Sequence, residues 1–217
     1  MTLNSSLRLT LLASALAAST LMSGCALLVG GAIVGSSMVA TDRRTSGTQL
    51  EDQNIEFKSG KRISDAIGER GHLNVTSYNR LVLITGEVPT EADKASVEQA
   101  ITRIENVRSV INELGVTAPS SIGTRSNDTL LTSKVKASMV DAKDVQSGAY
   151  KVVTERSVVY LMGRVTEREA NRAADIARGV SGVAKVVKVF EVVTEGELAG
   201  TAPVPAAAAI AASAPKP

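Results

Sequence analysis

The sequence predicts an α+β protein of two tandem αββαβ units, each a three-stranded mixed sheet with two helices on one face. Three observations lead there. Residues 73–86 align without a gap on 150–163, so the chain carries an internal repeat. Each copy is followed by a capped stretch with an apolar stripe at helical spacing, and each stripe by a further β-branched run.

Residues 1–24 read as an export signal: Arg8, then an apolar run over 9–18, then small residues ending at Gly24 before Cys25. That end resembles a bacterial lipobox, with Met22 where Leu is more usual, which makes Cys25 the acylated residue. Ala26 follows it, where an inner-membrane retention signal would place Asp, so the resemblance implies the outer membrane. The stretch 26–40 is apolar but short and interrupted by Gly30, Gly31 and Gly35, whereas a membrane span needs about 20 apolar residues. Residues 25–46 are therefore expected to be a lipidated Gly-rich segment and polar linker.

The first unit is expected over 47–118 and the second over 119–195, with a leading helix at 51–69 and at 129–142. Strand, turn, strand follows, with the turns at Tyr78, Asn79 and Arg80 and at Glu155, Arg156 and Ser157. Thr90 with Asp93, and Thr166 with Glu169, have capping-box spacing. Val97, Ala100, Ile101 and Ile104 form the stripe of the next helix, matched by Ala173, Ile176, Ala177 and Val180. Asn106 and Gly182 are expected to end these helices and 107–116 and 183–193 to give third strands. Gly86 and Gly163 are read as structural, where a strand leads into a tight connection. The open sheet faces look like docking surfaces. Residues 196–217, rich in Ala and Pro, are expected to be a disordered tail.

Composition excludes several functions. The 24 Lys and Arg against 22 Asp and Glu are too balanced for a nucleic-acid binder. One Cys and one His leave no disulfide framework, no common zinc site and no acid–base constellation, so neither cofactor, metal nor catalytic residue is assigned. His72 is read as a solvated turn residue.

Each repeat resembles a BON domain, on the strength of Val82, Ile84, Gly86 and Val88 at alternate positions, repeated at Val159, Leu161, Gly163 and Val165, then a capped helix and a Gly–Val strand entry. Two such units behind a lipobox resemble the dual-BON-domain outer-membrane lipoproteins associated with division and outer-membrane stress. The resemblance implies a periplasm-facing protein without catalytic activity that binds anionic phospholipid and supports outer-membrane integrity. The alternative is a scaffold for outer-membrane assembly proteins, using the open sheet faces or the acidic first unit.

Charge favours the second unit for lipid. Residues 47–119 hold 8 Lys and Arg against 11 Asp and Glu, and residues 120–195 hold 12 against 9. Unrolled as a helix, 129–142 puts Leu131, Val135, Met139 and Ala142 on one side and Leu130 opposite, near Lys134, with Lys136 on the other flank. Leu130, Lys134 and Lys136 are thus the candidate lipid-binding residues, with packing of Leu130 on the first unit or on the linker as an equal alternative. The resemblance implies an aromatic wedge at that place, from which Leu130 departs. Arg168, Arg172 and Arg178 are secondary candidates on what reads as a solvated face.

Overall fold

Alternation along the strands dictates a two-faced sheet, because successive side chains point to opposite sides. The computed structural model describes residues 42–200. The first unit runs α1 (Ser46–Ile67), β1 (His72–Tyr78), β2 (Leu81–Val88), α2 (Glu91–Thr102) and β3 (Ser109–Val116). The second runs α3 (Ile122–Asp141), a 3-10 turn (Ser147–Ala149), β4 (Tyr150–Glu155), β5 (Val158–Val165), α4 (Glu167–Arg178) and β6 (Lys185–Val192), with α5 (Glu195–Gly200) after it. In both sheets the middle strand pairs antiparallel with its hairpin partner and parallel with the strand after the helix.

Each unit has its own core between helices and sheet. Val82, Ile84 and Val88 of β2 meet Ile55 and Ile67 of α1 and Val97 and Ile101 of α2. Val159, Leu161 and Val165 of β5 meet Val135 and Met139 of α3 and Ala173 and Ala177 of α4. The alternate residues form a third core. Tyr78 and Leu83 of the first sheet pack with Tyr160, Met162 and Val189 of the second. The faces expected to be open for docking therefore cover each other, giving four layers in the order helices, sheet, sheet, helices.

The hairpin turns need two successive residues at positive φ, and none of the four is Gly: Asn79 (50°), Arg80 (64°), Arg156 (49°) and Ser157 (61°). This is the geometry of a two-residue turn matched to strand twist. A buried carboxylate from the leading helix holds each one. Asp52 accepts from the backbone N–H of Asn79 and of Arg80, both at 2.8 Å, and from Ser77 Oγ at 2.6 Å. Asp128 accepts from Arg156 N–H and Ser157 N–H, both at 2.8 Å.

Several boundaries differ from the sequence expectation. Thr45 accepts from Thr48 N–H and Ser121 from Thr124 N–H, so α1 starts at Ser46 and α3 at Ile122, ahead of 51 and 129. The helices α2 and α4 end at Thr102 and Arg178, before Asn106 and Gly182, which instead turn the chain at φ 67° and 99°. Gly86 and Gly163 lie inside strands, not at their ends. A Cβ on Gly86 would sit 2.0 Å from the His72 carbonyl oxygen, and one on Gly163 2.6 Å from that of Ala149. The tail begins as α5, because Thr194 and Glu197 cap each other reciprocally; residues 201–217 and 1–41, including Cys25, lie outside the described residues.

Asp128→Ala should lower unfolding stability by about 2–3 kcal/mol, since it strands two turn N–H groups; urea denaturation of the variant measures it. Asp128→Asn, keeping one acceptor oxygen, should cost less.

Candidate functional site

The helix α3 offers the outward surface that the sequence pointed to. Its inward side is fixed by Leu131, Val135 and Met139, all buried, and by Asp128 on the hairpin turn. That orientation forces Leu130 outward, where it is 61% exposed, and Lys134 and Lys136 are exposed as well. Leu130 and Lys134 are one turn apart on the same strip, and Lys134 lines a shallow groove of about 510 Å³ with Ala137 of α3 and Ile176 and Val180 beyond it. Lys136 lies on the other flank of the helix. At that exposure Leu130 is not covered by the first unit or the linker, which answers the alternative left open by the sequence.

The surface is longer than expected, because the helix is longer. Ile122 and Val140 are also strongly exposed, and at about 100° per residue they fall on the same flank, some 80° from Leu130. Ile122 was hidden from sequence reasoning by Gly123 and the serines around it, which look like linker.

The secondary candidates divide. Arg168 is exposed. Arg172 pairs with Asp144 at 2.6 Å and Arg178 with Asp175 at 2.6 Å, both in water-exposed pairs of small energy. His72 is not a solvated turn residue. It is the first residue of β1, half-buried, and burial together with the nearby Arg125 charge lowers its pKa.

Residues 42–45, expected to be polar linker, form a strap. Arg43 donates to Glu169 at 2.8 and 2.7 Å, to the Arg164 carbonyl at 3.0 Å and to Gln146 at 3.0 Å. Arg44 reaches the other way, to Asp52 at 2.8 Å and Asp42 at 2.7 Å, and stacks 4.3 Å from the centre of the Tyr78 ring. Adjacent arginines thus bind this segment to both units. The Arg43 guanidinium holds the Glu169 carboxyl down at about 2.

The BON domain family model matches residues 51–118 and 127–194, one match per αββαβ unit. The chain belongs to the BON domain family. It is 42% identical over 183 residues to the outer membrane lipoprotein DolP of Haemophilus influenzae, covering 83% of this chain and 94% of that protein. The 21 kDa hemolysin of Actinobacillus pleuropneumoniae is 33% identical over 154 residues, covering 70% of this chain and 79% of its own. The osmotically-inducible protein Y of Escherichia coli is 31% identical over 117 residues, covering 52% and 58%. The candidate surface on α3 therefore belongs to the second BON domain, and the strap joins both.

Glu169 titrates at about 2 when folded against an ordinary value of 4.5. Its contribution is present above the ordinary value and is lost as pH falls through that window, because the unfolded chain takes up the proton first. Glu169→Gln should therefore lower stability by about 3 kcal/mol at neutral pH, the cost of breaking a buried pair, and should flatten the acid limb of unfolding monitored between about pH 5 and 2.

Proposed function

We propose that this BON protein is held by Cys25 on the outer membrane, faces the periplasm, and contacts anionic phospholipid through α3 of its second domain. The observation that carries the reading is Leu130, exposed on the outward side of α3 one turn from Lys134. In this reading Leu130 enters the acyl boundary, while Lys134 and Lys136 meet lipid phosphate from its two flanks. Each such cation near an anionic leaflet contributes about 1 kcal/mol. Ile122 and Val140 widen the apolar strip along the helix. The similarity to an outer membrane lipoprotein over most of both chains supports the location.

The protein acts by binding, not catalysis, and supports the integrity of the membrane that it holds. Any envelope assembly protein that it also binds must use other surfaces, since the sheet faces are occupied by each other.

Vesicle flotation tests the lipid contact, using residues 41–217, which lack Cys25 and whose described part, 42–200, carries the cores of both domains. Leu130→Glu combined with Lys134→Glu and Lys136→Glu should lower flotation on anionic vesicles while circular dichroism is unchanged. Unchanged flotation of that folded variant moves the site off α3. In cells, Cys25→Ala should release the protein from the outer membrane, because weak, salt-sensitive surface contact does not replace two or more acyl chains; fractionation after a salt wash reads this.

A further inference from the structure

The first BON domain carries an outward surface of the same kind. Phe57 on α1 is 86% exposed, one of two phenylalanines in the chain, while the other, Phe190, packs edge-on against Tyr150 in the second core. Leu50 lies two turns earlier on the same strip and is 60% exposed. A groove of about 990 Å³ opens beside Phe57 between α1 and the end of α2, and Lys58, Lys61, Arg62 and Arg103 line it.

We propose that α1 is a second contact for an anionic phospholipid surface, with Phe57 as the inserted group and Lys58, Lys61, Arg62 and Arg103 as the charges that meet phosphate. This contact is separate from the one at α3 and does not require it. Phe57 and Lys61 repeat the spacing of Leu130 and Lys134, a large exposed apolar side chain with a lysine one turn later, on the leading helix of each domain. The acidic residues of the groove do not cancel its charge. Glu56 is already committed elsewhere, accepting from Ser77 N–H of its own domain and from Lys151 of the other, each at 2.7 Å. Glu105 lies 3.8 Å from Lys58 with both side chains exposed, a pair that water and salt weaken. Asp65 and Glu105 remain, against four cations.

Charge also decides the occupant. In a two-fold dimer through this face, the lysines and arginines of one copy would confront their own counterparts, since such an interface uses the same patch twice. An anionic headgroup layer meets all four with opposite charge, and an exposed aromatic ring suits the boundary between headgroup and acyl chain.

The chain has no Trp, so Phe57→Trp in the 41–217 form places a single reporter at this position. Its emission should shift to the blue on phosphatidylglycerol vesicles, be quenched by brominated acyl chains, and stay unshifted on phosphatidylcholine vesicles. Adding Lys58→Glu and Lys61→Glu should abolish the shift. The shift should persist when Leu130→Glu, Lys134→Glu and Lys136→Glu disable α3. No shift on anionic vesicles overturns the proposal, as does an equal shift on phosphatidylcholine. A shift that grows with protein concentration without lipid, together with a dimer in sedimentation, overturns it in favour of a second copy. Leu130→Trp read in parallel keeps the two sites apart: a shift there alone overturns the role of α1 only, and a shift at Phe57→Trp alone supports α1 and overturns α3.

Discussion

Glu87 sets the constraint on which the arrangement of the two domains depends. It sits on β2 facing the other sheet and is wholly buried, a position that costs several kcal/mol for a carboxylate without partners. Its partners come from beyond its own domain: Arg156 Nε at 2.5 Å, from the second hairpin tip, and the Ser120 N–H at 3.1 Å, from the linker. Burial pushes the Glu87 pKa up, and these partners outweigh it and bring it below the ordinary value. The first hairpin tip makes the converse contact, with Asn79 donating to Glu191 at 2.6 Å. Arg164, which aligns with Glu87 in the repeat, stands beside Glu191 at 3.6 Å. Two first domains brought together in this way would set Glu87 against Asn79, a neutral side chain. The repeat has thus diverged at the contact so that one domain fits the other and not itself.

Sheet-on-sheet packing decides which surfaces remain for partners. With both open faces consumed by Tyr78, Leu83, Tyr160, Met162 and Val189, the helices become the two outermost layers. Outward side chains on the leading helices must then point away from each other, and both leading helices carry large apolar groups there. The strap adds a fixed reference between them, because Arg43 and Arg44 bond to different domains from adjacent positions in the chain.

The repeat, the hairpin turns, the Thr166–Glu169 capping box and the stripes of α2 and α4 were all legible, because each depends on neighbours within a few residues. What escaped were contacts between distant residues. Nothing local marks Asp52 and Asp128, yet both are buried on turn N–H groups that only the tertiary fold brings to them. Arg43 and Arg44 read as linker for the same reason. On the candidate surface, unrolling the second leading helix found Leu130 and Lys134, since amphipathic spacing is local. Ile122 was missed with the true start of the helix. Phe57 was missed because the charge balance of the whole first domain is acidic, and that sum includes Asp52 and Glu56, whose carboxylates are already committed to internal partners.

A lipid anchor changes how strong such a surface has to be. If Cys25 is the acylated residue, as proposed, Asp42 follows it by 17 positions, a chain length that reaches at most about 60 Å. Tethering of this length makes a second contact intramolecular, with an effective concentration in the millimolar range. In the reading proposed for α3, a leucine with flanking lysines would then be sufficient to set the orientation of the domain on the leaflet without having to hold it there. The salt sensitivity of an exposed lysine contact follows from the same division of labour. Under that proposal acyl chains would supply attachment that screening does not touch, and the charged surface an interaction that salt and headgroup composition can adjust.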